Sequence, residues 1–233
     1  MDKHSEVEAK FLADKISQDQ FEEWASVIRW VGLNVLNGRD KDPVSKTYHH
    51  EVFKRLLGTD TFYKMGNGVL RHRSNWTKYA PNVNWSTLTV KKRKTDESLE
   101  DRKEVDLNIA TEHDAKDVTA FMNLMNAEKM FTIAKDYSIY KLKSVDENQI
   151  ICLAWYEVAR EDGTDKHNFI EIEVEKDSKC STHIGKMVLA DWKEYINKGL
   201  KLNGPMNASL FEMYSLPKDD PKSIVNMTKV TNE

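Results

Sequence analysis

The stretch EVEAKF at residues 6–11 decides how the rest of the chain is interpreted. Successive side chains of an extended strand point to opposite faces, so the glutamates and the lysine share one face and the apolar residues share the other. The stretch FIEIEVE at residues 169–175 alternates in the same way. Two such strands together can supply hard oxygen ligands for a divalent cation. Each strand alone is more typical of a half-buried sheet whose charges lie in water, so the interpretation depends on the segments between them.

The amino-acid composition limits the classes of protein to which this chain can belong. The 233 residues are 39% hydrophobic and 31% charged, which fits one large domain, or one domain with an appendage. The formal net charge of −3 argues against a general nucleic-acid coat or a polybasic membrane binder. Cys152 and Cys180 offer neither a disulfide framework nor a zinc spacing. Because no apolar run has the length of a signal segment or a membrane span, we expect a cytoplasmic protein with no membrane partner.

Charged residues recur on one face of the segments predicted to be strands in the middle of the chain. A GNG turn at residues 66–68 predicts a hairpin, and Arg71 and Arg73 share a face of its second strand. Residues 76–85 are predicted to form a long excursion from the sheet. The same alternation then groups Lys91 with Arg93, groups Arg102 with Glu104 and Asp106, and makes Lys135 the charged member of a later strand.

Helical periodicity is confined to three segments. Apolar residues at helical spacing predict helices over about 18–37, 114–126 and 183–197, and the SQDQ stretch at residues 17–20 predicts a capping box for the first. Residues 1–202 are therefore expected to form the main domain. Residues 203–233 have no clear period and are expected to form a tail that packs on the surface or is partly disordered.

Many strands and few helices predict an antiparallel sheet that curls or closes. If the charged faces point inward, the lumen holds seven acids and seven bases. The acids are Glu6, Glu8, Glu104, Asp106, Glu171, Glu173 and Glu175, and the bases are Lys10, Arg71, Arg73, Lys91, Arg93, Arg102 and Lys135. A buried charge costs several kcal/mol unless it is paired or binds an ion. Such a lumen suits a ligand that carries several negative charges together with a cation, as phosphoryl transfer requires.

The ordered set of motifs resembles the CYTH, or triphosphate tunnel metalloenzyme, superfamily over roughly residues 5 to 200. The resemblance begins with Glu-x-Glu-x-Lys at Glu6, Glu8 and Lys10, and it continues through DTFY at 60–63, LRHR at 70–73, LTVK at 88–91, Arg102-x-Glu104 and FIEIE at 169–173. It implies a mainly β, α+β fold in which an eight-stranded antiparallel barrel, the triphosphate tunnel, has flanking helices. It also implies a site that binds triphosphates with a divalent metal, Mg²⁺ or Mn²⁺.

The resemblance implies roles for individual residues. The triphosphate would be held by Lys10, Arg71, Arg73, Lys91, Arg93, Arg102 and Lys135. The metal would be held by Glu6, Glu8, Glu171, Glu173 and Glu175. Catalysis would depend on Glu6, Glu8, Lys10 and Glu104, with Glu104 orienting basic residues or contributing to the metal site. The triple-glutamate run that ends at Glu175 is similar to the RNA triphosphatase branch.

Two positions depart from the pattern of the superfamily. This chain has Lys135-Asp136-Tyr137 where many relatives have Lys-x-Arg, and it has Tyr156-Glu157 where many have an acid two residues before a valine. If Glu157 replaces that acid, its side chain is expected to point outward, because a shift of one residue changes the face.

Several functions stay open at this point. We expect a metal-dependent hydrolase that releases the terminal phosphate of a triphosphate, with inorganic triphosphate as the leading small-molecule substrate. The alternatives are a triphosphatase that acts on the RNA 5′ end or on a nucleoside or thiamine triphosphate, a class IV-like adenylyl cyclase, and a module that binds nucleotide or polyphosphate without turnover.

Overall fold

The computed structural model describes most of the chain. The described residues are 7–33, 44–66, 68–77, 80–92, 103–109, 115–145, 148–175, 178, 182–217 and 219–230. The strands are β1 (Val7–Leu12), β2 (Trp30–Leu33), β3 (Val44–Met65), β4 (Gly68–Thr77), β5 (Ala80–Lys92), β6 (Lys103–Ile109), β7 (Glu128–Ser144), β8 (Ile150–Arg160) and β9 (His167–Val174). The helices are α1 (Gln18–Ser26), α2 (Ala115–Leu124), α3 (Thr182–Leu200), α4 (Leu210–Ser215) and α5 (Ile224–Val230).

Eight of the strands form one antiparallel sheet in the order β1-β9-β8-β7-β3-β4-β5-β6, and β2 pairs with an extension of β3. The predicted mainly β fold, with an eight-stranded antiparallel sheet and flanking helices, is confirmed. The sheet is not closed, because no pairing joins β1 to β6 within the described ranges. Part of the edge of β1 is instead occupied by the tail, since the backbone N–H of Met206 donates to the Lys10 carbonyl over 2.6 Å.

The apolar face of the first strand lies against helices. Val7 and Phe11 are fully buried in a core cluster that also contains Phe21 of α1 and Trp192 of α3. The alternation of β1 therefore works as the sequence predicts, because the residues between these apolar ones, Glu8 and Lys10, must point to the other side of the sheet. We call that other side the charged face; its residues on the neighbouring strands are identified by the register.

A second core cluster joins the tail to the charged face of the sheet. Ile133, Val158 and Phe169 of the sheet are buried together with Met213 of α4 and Ile224 of α5. These apolar residues occupy the same alternation as the charged ones, so the two short helices cover one part of that face. The boundary at residue 202 stays a prediction.

Hydrogen bonds and a cation–π contact hold α4 against the end of β8. The Arg160 guanidinium donates to the Tyr214 carbonyl over 3.0 Å and lies 5.3 Å from the centre of the Tyr214 ring. The Tyr214 hydroxyl in turn donates to the carbonyl of Asp165 over 2.9 Å. Phe211 of the same helix packs on the rings of Phe62 and Phe131, with centroid distances of 5.7 and 5.9 Å.

Two sequence predictions about the elements are wrong. The first helix ends at Ser26 rather than near residue 37, although its Ser17–Gln20 capping box is present. Residues 30–33 form β2 instead, because they pair with the extension of β3. This tertiary contact outweighs the helical spacing of the apolar residues. Residues 76–77 belong to β4 and residues 80–85 to β5, and the two strands pair with each other, so these residues are part of the sheet rather than an excursion from it.

No helix among the described residues has both the length and the apolar character needed to cross a membrane.

The packing of the tail predicts a large stability effect at Met213. This side chain is fully buried between α4 and the sheet, so Met213→Ala should lower the free energy of unfolding by about 2–5 kcal/mol through lost burial and a cavity. Urea unfolding of the full chain measures the change. Asn207→Ala, at an exposed position of the same tail, is the control and should cost less than about 0.5 kcal/mol. Equal stability of the two variants would show that the tail does not contribute to the folded core.

Candidate functional site

Strand register collects charged and polar residues from distant parts of the chain on the charged face. Directly opposite pairs are Glu8 with Glu173, Lys10 with Glu171, Asp60 with Arg73, Arg71 with Thr89, and Thr89 with Asp106. Paired residues of an antiparallel ladder project to the same face. Residues as far apart in sequence as 8 and 173 are therefore neighbours on one surface.

The charged face is concave. Arg73 on β4 and Glu171 on β9 are separated by β3, β7 and β8, which in a flat sheet amounts to four strand spacings, or about 19 Å. The Glu171 carboxylate nevertheless helps to raise the pKa of Arg73. Burial opposes the Arg73 charge most strongly; Asp60 raises the pKa of Arg73 most, followed by Tyr137 and then Glu171. A sheet that curls toward its charged face accounts for this influence, and we call the space between β4 and β9 on that face the trough.

A buried ion cluster forms the basic half of the trough. Asp60 is 1% exposed, and its two carboxylate oxygens accept hydrogen bonds from Nε and Nη2 of Arg73 over 2.8 and 2.9 Å. The Nζ atom of Lys135 lies 2.7 Å from Asp60 Oδ2. Burial raises the pKa of Asp60, but the nearby Arg73 and Lys135 outweigh burial and hold the pKa well below its usual range. One carboxylate thus organises two cations.

The pKa of Lys135 is lowered mainly by burial and, to a smaller extent, by neighbouring positive charge. Burial lowers the pKa of Lys135 from its ordinary value of 10.5 to about 7, although Asp60 acts in the opposite direction. Arg73 and Arg71 lower it further by repulsion. An anion that enters the cluster would relieve this repulsion, so the cluster favours a negatively charged ligand.

Arg71 extends the basic half toward β5 and β6. Its Nη2 donates to the Thr89 hydroxyl over 3.1 Å, and that hydroxyl donates to Oδ1 of Asp106 over 2.6 Å. Thr89 is fully buried, so this relay holds the Arg71 guanidinium in a defined orientation. A guanidinium held in this way suits bidentate contact with phosphate oxygens.

The acidic half lies on β1 and β9. Glu8 and Glu173 are directly opposite each other, and Lys10 lies 3.1 Å from Oε2 of Glu171. Like charges at opposite positions of an antiparallel pair destabilise the sheet, so the Glu8–Glu173 pair favours a bound cation. Within the described parts of the chain, no three His, Cys, Asp or Glu side chains are grouped closely enough to hold a metal ion by themselves.

Tyr156 connects the two halves. Its hydroxyl donates to Oε2 of Glu171 over 2.6 Å, and Lys135 Nζ lies 4.9 Å from the centre of its ring. Burial, followed by the charges of Glu171 and Glu8, raises the pKa of Tyr156 well above its usual range, so the phenol stays protonated and donates. Tyr156 therefore places a hydrogen-bond donor at the position where the superfamily pattern has an acid.

Glu175 is brought against another lysine. Oε2 of Glu175 accepts a hydrogen bond from Lys141 over 2.8 Å, and this partner raises the pKa of Lys141 above its usual value although burial opposes it. Burial and the charges of Glu173, Glu175 and Glu171 raise the pKa of Cys152 well above its usual range. The buried thiol next to these glutamates is therefore not a reactive thiolate.

The predicted site residues fall into three groups. The structure brings together Glu8, Lys10, Arg71, Arg73, Lys135, Glu171 and Glu173 on the charged face, with Glu175 beyond the end of β9. The predictions for Glu6, Arg93 and Arg102 fall outside the described residues. Lys91 and Glu104 are opposite each other in the β5–β6 register, and only their backbone is described.

The two departures from the superfamily pattern have different outcomes. Tyr137 lies on the charged face, where its hydroxyl donates to Oδ1 of buried Asn75. Gly58 makes this contact possible, because a Cβ at residue 58 would lie 2.6 Å from the same oxygen. Glu157 projects to the opposite face, as the shift of one residue predicts, and pairs with Lys166 over 2.9 Å.

Sequence reasoning assigned no role to Asp60, Tyr137 or Tyr156. Asp60 was visible as a motif residue, but nothing in the sequence indicated that it pairs with Lys135, which is 75 positions away. The alternation offered one usable signal, since it places Asp60 on the same strand face as Gly58 and Phe62, neither of which can pair with its charge. Tyr156 was identified only as a position where an expected acid is missing.

Comparison with known proteins supports the fold. The structure is similar to that of the PH1819 protein from Pyrococcus horikoshii OT3, a protein of the CYTH fold, with a TM-score of 0.54 and 20% identity over 89% of this chain and 96% of that one. It has a weaker likeness to S. pombe Pct1 RNA triphosphatase, with a TM-score of 0.34 and 12% identity over 84% and 77% of the two chains. No family model and no curated protein sequence matches the chain. The chain therefore has the fold that the resemblance predicted.

The lowered pKa of Lys135 predicts a pH dependence of stability. The ordinary pKa is 10.5 and the folded one is about 7, so between these values the unfolded chain binds more protons and the free energy of unfolding rises with pH. Below pH 7 both states bind the proton and the cost of burying the ammonium is fully present. From pH 7 to pH 9, wild type should gain on the order of 2 kcal/mol relative to Lys135→Met, as measured by urea unfolding. Identical pH profiles would contradict the lowered pKa.

Proposed function

We propose that this protein is a triphosphate hydrolase that binds its substrate in the trough and releases the terminal phosphate. The observation that carries the proposal is the buried cluster in which Arg73 and Lys135 pair with the Asp60 carboxylate, with Arg71 near enough to act on its charge. Three basic side chains lie close to one buried carboxylate, so the cluster can accept the negative charge of a polyanion.

The chain's own residues suit the charge distribution of phosphoryl transfer. Arg71 and Arg73 present planar guanidinium groups, and Lys135 and Lys10 add ammonium groups that bind phosphate oxygens as point charges. Asp60 and Thr89 hold the two guanidinium groups in place before the substrate arrives. Preorganised donors of this kind stabilise the charge that develops on the transferred phosphoryl group.

A divalent cation fits the acidic half of the trough. Mg²⁺ is commonly held by one or two carboxylates together with substrate phosphates and waters, and the opposed Glu8 and Glu173 offer such a pair. Mg²⁺ or Mn²⁺ bound there would neutralise phosphate charge and activate water for attack. Glu6, Glu175 and Glu104 stay predicted contributors to the cation site or to catalysis.

Inorganic triphosphate is the substrate that we favour. The two tail helices cover one part of the charged face, and Phe211 fills the space beside Phe62. A short anion without a base fits the remaining trough best. A triphosphate on a nucleoside, on thiamine or at an RNA 5′ end, and the cyclisation of ATP, are the competing substrates and reaction, which product analysis separates.

A second candidate function is triphosphate binding without turnover. Tyr156 supplies a protonated phenol to the trough, and Glu171 is engaged by both Tyr156 and Lys10. These contacts occupy Glu171, so fewer carboxylates can take part in metal binding or catalysis. Tight binding of triphosphate by calorimetry, with no phosphate released on long incubation with Mg²⁺ or Mn²⁺, would identify this function.

The hydrolase proposal predicts phosphate release from inorganic triphosphate that depends on both halves of the trough. Arg73→Ala and Glu173→Gln should each lower kcat/KM by about 100-fold or more. Arg73→Ala removes a cation that stabilises the transferred phosphoryl group, and Glu173→Gln weakens the site proposed for the divalent cation. The measurement is phosphate release, assayed once with Mg²⁺ and once with Mn²⁺ as the divalent cation.

Matched variants separate loss of function from loss of stability. Glu157→Gln neutralises a glutamate on the opposite face, and Arg55→Ala breaks the ion pair with Glu22 outside the trough. Both should retain activity within about twofold, since neither touches the trough. Wild-type activity no higher than that of Arg73→Ala and Glu173→Gln would refute the hydrolase function.

Triphosphate binding should also bring a proton to Lys135. At pH 8 this lysine is mostly neutral, because its pKa is about 7, and the bound anion favours its charged form. Wild type should take up close to one proton more per triphosphate than Lys135→Arg, whose guanidinium is charged throughout. Calorimetry at pH 8 in two buffers of different ionisation enthalpy, without metal, measures the difference. No difference between the two proteins would place the anion away from Lys135.

A further inference from the structure

A tyrosine and an asparagine form a bridge across β3 on the charged face. The Tyr137 hydroxyl on β7 donates to Oδ1 of Asn75 on β4, and both residues are 6% exposed. Burial is the largest influence on Tyr137 and raises its pKa above the usual value, so the phenol stays protonated and can donate. A Cβ at Gly58 of β3 would lie 2.6 Å from the Asn75 oxygen and 3.4 Å from Cε1 of Tyr137, so glycine at this position leaves room for the bridge.

The bridge fixes which end of the Asn75 amide is left for a ligand. Because the oxygen accepts from Tyr137, both N–H donors of Nδ2 remain for another partner. Within the described parts of the chain, Nδ2 donates to no protein acceptor, and it is not among the enclosed polar atoms that lack a partner. The donors are therefore accessible on the face that carries the cations.

Asn75 adjoins the cation cluster. It lies two residues after Arg73 on the same face of β4, a separation of roughly 7 Å along the strand. In the register it is opposite Gly58, which is in turn opposite Lys135. Arg73 and Arg71 already lower the pKa of Lys135 by repulsion. A neutral amide at this place adds hydrogen-bond donors without adding to that repulsion.

Resting on the proposed function, we propose that Asn75 is a substrate-binding residue that donates to a phosphate oxygen of the triphosphate, and that Tyr137 is the positioning residue that orients the Asn75 amide. A triphosphate that binds Arg73 with one phosphate group can reach Asn75 with the next, since the two side chains are neighbours on one face. A hydrogen bond to a charged acceptor is stronger than one between neutral groups, so an amide held in place contributes to affinity although it carries no charge.

Substitutions at Asn75 separate this role from a structural one. Asn75→Ala removes the donors and should weaken binding of inorganic triphosphate by about tenfold, the loss expected for one hydrogen bond to a charged group. Asn75→Asp keeps an oxygen that accepts from Tyr137 but replaces the donors with a negative charge, so it should weaken binding by about 50-fold or more. Calorimetry of the full chain with inorganic triphosphate and no metal measures both. Asn75→Asp that binds triphosphate as tightly as wild type would overturn the proposal, because only the bridge to Tyr137 would then matter.

Tyr137→Phe tests the positioning role. It keeps the ring beside Gly58 and removes the hydroxyl, so the Asn75 amide can rotate and binding should weaken by about threefold. In the Asn75→Ala background the same substitution should add less than about 1.5-fold, since the hydroxyl acts through the amide. In turnover, Asn75→Ala and Tyr137→Phe should raise the KM and leave kcat within about twofold, because the amide binds the substrate and the transition state equally. Additive effects in the double variant would overturn the positioning role.

Matched substitutions on the opposite face separate these effects from a loss of stability. Tyr140→Phe removes a buried hydroxyl of the same strand, which donates to the Glu22 carbonyl over 3.3 Å. Asn168→Ala removes an amide that donates to the Ile16 carbonyl over 3.4 Å. Both variants should bind triphosphate within about twofold of wild type.

The binding measurement also distinguishes this proposal from the hydrolase function. Wild type that binds triphosphate but releases no phosphate would refute the hydrolase, and the same dissociation constants would still decide the role of Asn75. Wild type that binds no triphosphate would overturn both proposals.

Discussion

The free-energy cost of burying charge is the main constraint on this structure, and it is hardest to explain at Asp60, whose carboxylate is buried. A carboxylate that is 1% exposed would be strongly unfavourable alone. Bidentate contact with Arg73 and a contact with Lys135 make it tolerable, and two basic side chains then share one carboxylate. Structural stability alone does not explain such a cluster, because well-packed apolar residues stabilise as well or better.

The same alternation that makes the sheet fold also builds the trough. In β1, Val7 and Phe11 pack against the helices while Glu8 and Lys10 point to the opposite side. Antiparallel register then carries this division from strand to strand. Curvature of the sheet completes the trough, since it lets charges on β4 and β9 influence each other although three strands lie between them.

Patterns with a period of two were readable from the sequence, and contacts between distant segments were not. The faces of β1, β4 and β9 follow from alternation alone, and with the motif order they predicted the eight-stranded antiparallel sheet. The helix predicted to continue to residue 37 failed because β2 pairs with β3, a tertiary contact. Asp60 and Tyr156 were missed for the same reason: their roles depend on Lys135 and Glu171, which only the fold brings near.

The trough is polarised, and its polarity constrains the ligand. Cations on β4 and β7, grouped around Asp60 of β3, form one half, and the opposed carboxylates Glu8 and Glu173 form part of the other. A bare polyanion would satisfy the first half and be repelled by the second, and a bare cation would meet the reverse. A polyanion that carries its own divalent cation satisfies both at once, and Tyr156 allows the halves to meet because a neutral phenol separates Lys135 from Glu171 without adding charge to either.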